Sequence, residues 1–260
     1  MFFDTHCHLT LTNIDKKDIN DIIKNAQSKG VTSILDISVG DSDFFKRSEI
    51  INALCREYLV TIYMTAGIPP FFSDKRVKND ISLVKEQAEK EKKVIGIGEI
   101  GLDYYHNYGD KKRQIGLFVE QIEIANELNL PVIVHTRESD DDLINTLKQC
   151  RPVKGGIIHC FSSGIKTAKK LLDMGFYISF AGNVTYKKSA QIRDVVSLVP
   201  EDQYLIETDS PYLSPEGFRG KPNEPAHVAV VASFIAKLRG ISVEKIARQT
   251  TQNARRALGI

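Results

Sequence analysis

The sequence predicts an α/β protein folded as a closed (β/α)8 TIM barrel, with residues 1–260 forming one domain. Three observations carry that expectation. Short runs rich in Val, Ile and Phe alternate with amphipathic segments from end to end, the signature of a parallel sheet with crossover helices. The 260 residues are enough for eight such units and few enough for one core. Six side chains of metal-ligand type also stand at the ends of these runs, where strands of a barrel converge on one rim. An open doubly wound sheet is the alternative, because strand order is not written in a sequence.

In chain order, the strands are expected at residues 2–6, 31–38, 60–68, 94–99, 132–135, 156–159, 176–180 and 204–208. Each is a β-branched or aromatic run bounded by polar residues, Gly or Pro. Helices are expected at 15–29, 44–58, 77–92, 112–128, 141–150 and 167–174, where apolar residues recur at three- and four-residue steps. Two more follow at 225–238 and 243–258, the second entered through Ser242 as an N-cap. Between the eighth strand and these helices, residues 210–225 carry Pro211, Pro215, Pro222 and Pro225 with Gly217 and Gly220. This reads as a long ordered loop of the kind that usually serves function.

Composition narrows the function classes. A net charge of +2 argues against a long basic nucleic-acid groove, so an anionic partner must be held by a local feature. Cys7, Cys55, Cys150 and Cys160 are far apart with no CxxC and read as reduced thiols. The first strand begins at Phe2, and no run approaches the roughly 20 apolar residues of a membrane span. The expectation is a soluble cytoplasmic protein without a membrane or an obligate protein partner.

The chemistry is concentrated at the strand ends. His6 and His8 flank Cys7, and period-two alternation sends both imidazoles to one face and the thiol to the other. Glu99, His135, His159 and Asp209 stand at the ends of the fourth, fifth, sixth and eighth strands, so a barrel brings all six to one rim. Imidazole with carboxylate suits Zn²⁺, Mn²⁺ or Fe²⁺ better than Ca²⁺. Six ligands exceed the needs of one catalytic zinc, and a two-oxygen carboxylate such as Glu99 can bridge two ions. Cys7 and Cys160 are read as packing residues, His106 as a loop residue that is solvent-facing in preference to touching substrate, and His227 as structural or a rim contact. Gly96, Gly98 and Gly101 match a dinucleotide-binding spacing but precede no helix directly, so that reading is set aside.

These residues resemble the TatD family of metal-dependent deoxyribonucleases. The matching blocks are Phe3-Asp4-Thr5-His6-Cys7-His8-Leu9, Gly96 to Tyr104, Val134-His135-Thr136-Arg137, Ile158 to Ser162, Glu207 to Leu213, Arg219 to Pro225, and Asn253-Ala254-Arg255-Arg256. They run through the chain in the family's order. The resemblance implies a TIM barrel and two divalent ions, Zn²⁺, Mn²⁺ or Mg²⁺. It assigns His6, His8 and Asp209 to one ion, His135 and His159 to the other, and Glu99 to both. It also implies 3′-to-5′ exonuclease action on DNA. One departure follows the third strand: where the family commonly shows Gly-x-His-Pro-His, this chain reads Gly67-Ile68-Pro69-Pro70-Phe71.

The expected reaction is phosphodiester hydrolysis at single-stranded or frayed DNA ends by a metal-activated water, with Glu99 and Asp209 as the catalytic carboxylates and Asp209 the general base. Glu207 either orients Asp209 or fills the barrel, with packing and salt bridging the favoured role. Arg137, Arg219 and Lys221 are candidate phosphate contacts, and Tyr104, Tyr105 and Tyr212 candidate stacking partners for a terminal base. The alternative is hydrolysis of an amide, ester or lactone in a small metabolite, since the same metal pair activates water for either electrophile. A third class, a non-catalytic metal-binding barrel, is disfavoured by the full set of ligands and base.

Overall fold

Eight parallel strands lie side by side in chain order in the computed structural model, which describes residues 1–10, 18–40, 44–75, 80–106 and 108–260. The strands are β1 (Phe2–Cys7), β2 (Val31–Asp36), β3 (Thr61–Ala66), β4 (Val94–Asp103), β5 (Val132–Arg137), β6 (Gly156–Ile158), β7 (Tyr177–Phe180) and β8 (Tyr204–Ile206). The helices are α1 (Ile19–Ser28), α2 (Phe44–Glu57), α3 (Asp80–Lys90), α4 (Lys111–Glu127), α5 (Asp140–Gln149), α6 (Ile165–Asp173), α7 (Ala190–Leu198), α8 (Val228–Arg239) and α9 (Val243–Leu258). The starts expected for the first and third helices, residues 15–17 and 77–79, lie outside the described residues. Among the described residues, no single helix is long and apolar enough to cross a membrane.

The expected barrel is found, and β1 and β8 meet at its seam. Side chains begin the closure: Asp4 accepts from the backbone N–H and the hydroxyl of Thr208 at 2.9 and 2.6 Å, and Thr5 donates to the Ile206 carbonyl at 3.0 Å. Backbone finishes it, with Asp209 N–H on the His6 carbonyl at 2.9 Å and His8 N–H on the Ser210 carbonyl at 2.8 Å. The seam is therefore tightest beside the predicted ligands.

Apolar residues form two layers. The larger cluster lies between strands and helices, while the smaller one takes a residue from every strand, among them Phe3, Leu35, Ile133, Ile157 and Leu205. Ala254, Ala257 and Leu258 of α9 join the smaller cluster. Asn253 fastens that helix to the start of β8 through the Tyr204 carbonyl at 2.9 Å and the preceding Glu201 carbonyl at 3.0 Å. Helix α9 thus plugs the N-terminal end of the barrel and leaves the opposite end open. Ser242 caps it as expected, accepting from Lys245 N–H at 3.2 Å.

Three local features depart from the expectation. Strand β4 continues to Asp103, so Glu99 lies inside it rather than at its end. Helix α7 was not anticipated, because its nine residues bury side chains only at Ile192, Val195 and Val196, a single helical repeat. The β1 register against β2 also shifts between Asp4 and Cys7. That irregularity puts Cys7 in the outer layer while His6 and His8 turn inward above Thr5, whose hydroxyl meets Ser179 across the barrel.

Candidate metal centre

At the open end, β4 and β5 make a tightly constrained contact. Glu99, Gly101 and Asp103 fall two apart on β4, and Gly101 pairs with His135 of β5. A Cβ at Gly101 would lie 2.1 Å from the His135 carbonyl oxygen, and its φ of +136° is one that side chains disfavour, so only glycine fits. With that space open, the two carboxylates grip opposite nitrogens of one ring. His135 Nδ1 is 2.8 Å from Glu99 Oε1, and His135 Nε2 is 3.0 Å from Asp103 Oδ2. Gly96 and Gly98 likewise admit Ile133 of the neighbouring strand, which accounts for the glycine spacing without a dinucleotide.

Around Glu99 the six predicted residues come together. His6 Nε2 and His8 Nε2 each lie 3.8 Å from Glu99 Oε2, and they are 3.7 and 3.6 Å from Asp209 Oδ1. On the other carboxylate oxygen, Oε1 is 2.8 Å from His135 Nδ1 and 3.1 Å from His159 Nε2, and those two nitrogens are 3.1 Å apart. Ligand atoms about 2.0–2.2 Å from a zinc-type ion stand about 3.3–3.6 Å apart at a tetrahedral edge. The first set matches that edge closely, while the second is drawn tighter, at hydrogen-bond distance.

The outer ring nitrogens of His8, His135 and His159 face oxygen acceptors. His8 Nδ1 is 3.3 Å from the Ile37 carbonyl, which accepts its proton. His135 Nε2 faces Asp103, and His159 Nδ1 lies 3.4 Å from Glu207 Oε1, itself held by Cys160 N–H at 2.7 Å. With a divalent cation bound, donation from each outer nitrogen would leave the inner one its lone pair, the arrangement that orients imidazoles toward a metal. His6 is fully buried, and neither of its ring nitrogens has a hydrogen-bond partner. Burial, reinforced by the His159 imidazole, holds its pKa well below the usual value. A neutral buried imidazole aimed at two carboxylate oxygens is a donor suited to a divalent cation.

Electrostatics follow from the same contacts. Burial raises the Glu99 carboxyl, but the His159 and His135 imidazoles outweigh it and hold it well below its ordinary range. Burial lowers His159, and Glu99 with Glu207 outweighs it in the other direction, leaving it well above its usual value. Asp103 is held low by its bonds to His135 and His106 in spite of its burial. Asp209 sits past the end of β8 with φ of +56°, an uncommon backbone for a non-glycine residue. Glu138, Cys160 and Leu213 share that conformation, and all four residues line one cleft. Such strain gathers where a fold must present particular groups.

The cleft above the centre has a volume of about 1280 Å³. Tyr104 and Arg137 stand on its wall, Arg137 as the last residue of β5 and not on a loop. The Tyr104 hydroxyl donates to Asp142 at 2.8 Å, and Lys111 Nζ sits 4.1 Å from its ring centre, so Lys111 is a cleft cation absent from the sequence expectation. Arg219 stacks 4.6 Å over Tyr186, a cleft residue, but neither Arg219 nor Lys221 lines the cleft itself. The cause is the 210–225 loop, which Asn223 ties back on itself through the Thr208 and Tyr212 carbonyls.

Other expectations have mixed outcomes. Cys160 lies beyond β6, where strand alternation no longer applies, and lines the cleft instead of packing in the core. Glu207 takes the favoured salt-bridging role, buried and paired with His159 rather than set against Asp209. His106 is exposed as expected and is also anchored, its Nδ1 2.8 Å from Asp103 Oδ2. Asp103 was missed, although its place two residues beyond Gly101 on the Glu99 face was the available signal. His227 is structural, meeting Asn223 at 2.8 Å and stacking on Phe218.

Comparison with known proteins agrees with this picture. The model of the TatD related DNase family matches residues 3–259. An uncharacterized metal-dependent hydrolase of Bacillus subtilis, YabD, is 38% identical over 261 residues, covering 100% of both chains. The 3′-5′ ssDNA/RNA exonuclease TatD of Erwinia amylovora is 31% identical over 264 residues, covering 99% of this chain and 100% of its own. The crystal structure of YjjV, a TatD homologue from Escherichia coli K12, superposes with a TM-score of 0.89 at 30% identity, over 100% of this chain and 98% of that one. With the barrel, the paired donor sets and a family match along nearly its whole length, the chain belongs to the TatD related DNase family and is a TatD-type metal-dependent hydrolase.

Proposed function

We propose that this protein is a two-metal phosphodiesterase that removes nucleotides from single-stranded or frayed DNA ends in the 3′-to-5′ direction. The observation that carries the reading is Glu99, whose Oε2 faces His6 and His8 beside Asp209 while its Oε1 faces His135 and His159. His6, His8, Asp209 and Glu99 would hold one divalent ion, and His135, His159 and Glu99 the other. Such ions lower the pKa of a water and polarise a phosphoryl oxygen. The Erwinia relative, named a 3′-5′ ssDNA/RNA exonuclease, supports the substrate class.

The chain's own groups divide the remaining work. Asp209 is 13% exposed against 7% for Glu99, so it is the carboxylate better able to meet an incoming water and take its proton. Glu99 supplies the negative charge between the donor sets. Asp103 and Glu207 hold the His135 and His159 tautomers. Lys111 and Arg137 offer positive charge on the cleft wall, while Glu138, Asp140, Asp141 and Asp142 line it nearby. A cleft of such mixed charge grips few phosphates, which favours a strand end over a long duplex and gives a shallow salt dependence.

Asp103→Asn and Glu207→Gln keep shape but can offer an N–H where a histidine needs an acceptor. Each is expected to lower metal affinity or turnover about 10- to 100-fold with the fold retained. Metal titration of the purified variants checks this, and wild-type affinity and turnover in both would exclude the orienting role. The substrate is tested with linear and closed circular single-stranded DNA of one sequence, with added Mg²⁺ or Mn²⁺. Mononucleotide release from the linear strand alone is expected. Equal cutting of the circle refutes the need for an end, and no cutting of either, with hydrolysis of a small ester or amide, favours the metabolite hydrolase.

A further inference from the structure

The segment that departs from the family pattern, Gly67-Ile68-Pro69-Pro70-Phe71, forms part of the cleft wall. Buried Gln121 of α4 clamps it, its Oε1 accepting from Ile68 N–H at 2.7 Å and its amide donating to the Ile68 carbonyl at 2.9 Å. Pro70 then opens a 3₁₀ turn, Pro70–Phe72, which sets Phe71 into the cleft. There Phe71 meets Tyr108 with ring centres 5.6 Å apart, and Tyr108 stacks on His106 at 5.0 Å with the planes inclined by 24°. All three rings line the cleft. His106 bonds through Nδ1 to Asp103 Oδ2, which also holds His135, so two contacts join this aromatic wall to the candidate metal centre.

The other rings anticipated as stacking partners are engaged differently. Lys111 lies over Tyr104, Arg137 lies 4.1 Å over Tyr105, and Tyr212 turns toward His8 with ring centres 6.0 Å apart, the planes near perpendicular. Among the described residues, no cation lies over Phe71 or Tyr108. The wall therefore divides into an uncharged aromatic surface and, beside it, two cations suited to phosphate.

We propose that Phe71, Tyr108 and His106 form a stacking subsite for the nucleobase of the nucleotide at the reacting end, in place of a polar contact at this position. The subsite rests on the reading of the centre as acting on nucleic-acid ends. Stacking is tolerant of sequence because every base has a π-face, and a platform fixed by Gln121 and two prolines loses little conformational freedom on binding. Lys111 and Arg137 hold the phosphate of the same nucleotide, whatever base it carries.

The test measures calorimetric binding of dAMP and of 2-deoxyribose 5-phosphate, which lacks the base, to the metal-replete protein. The wild type is expected to bind dAMP about 10- to 100-fold more tightly. Phe71→Ala and Tyr108→Ala are expected to lose most of that preference with the affinity for deoxyribose phosphate unchanged. Phe71→Tyr, which restores a ring, is expected to keep it. Phe71→Leu and Tyr108→Leu retain bulk without a π-face and serve if an alanine variant misfolds by circular dichroism. Equal binding of the two probes by the wild type, or full preference in the leucine variants, overturns the subsite. A base preference in a protein that cuts no DNA leaves the subsite standing and removes the exonuclease reading; cutting without the preference does the reverse.

Discussion

Glu99→Gln is expected to abolish most hydrolysis while leaving the barrel folded. The glutamine matches the carboxylate in shape, and the side chain is only 7% exposed, so packing around it changes little. What disappears is the negative charge between two groups of donors, with Oε2 facing His6 and His8 and Oε1 facing His135 and His159. Two divalent ions held at such a centre would then lack the anion that offsets their repulsion. Metal content should fall from two ions toward one or none. A loss of several kcal/mol of transition-state stabilisation is on the order of a 10³-fold drop in kcat/KM. Elemental analysis with steady-state kinetics checks both, and wild-type turnover at limiting metal would exclude a bridging role.

Asp209→Asn separates charge from conformation. At φ of +56° the backbone of Asp209 is left-handed, with its N–H on the His6 carbonyl and its own carbonyl accepting from Tyr212 N–H at 2.9 Å. Asparagine visits this region readily, whereas alanine pays about 1–2 kcal/mol there. The asparagine variant should therefore unfold near the wild-type temperature while kcat falls about 10²- to 10⁴-fold, the range for losing a general base. The alanine variant should lose comparable activity and also some stability. An asparagine variant within a few-fold of wild-type kcat would remove Asp209 from proton transfer.

The alternation of strands and helices was legible because period-two and period-3.6 patterns are local, and it led directly to the barrel. The convergence of His6, His8, Glu99, His135, His159 and Asp209 was legible from the strand ends, although β4 and β5 run on past Glu99 and His135. Asp103 escaped because the length of β4 depends on Gly101 admitting the β5 backbone, a pairing that one strand's own sequence does not reveal. Cys160 was misjudged for a related reason, since alternation was extended past the end of β6. Lys221 looked like a rim cation because the folding back of residues 210–225 through Asn223 is a tertiary effect. Composition could not locate Lys111, whose place depends on Tyr104 and the start of α4.

The central claim is that one carboxylate organises two cation sites. Anomalous diffraction from crystals of the Mn²⁺- or Zn²⁺-replete protein tests it most directly. The account predicts two peaks, one among His6, His8, Asp209 and Glu99 and the other among His135, His159 and Glu99. A single peak at full metal loading, or peaks coordinated by other residues, would contradict it.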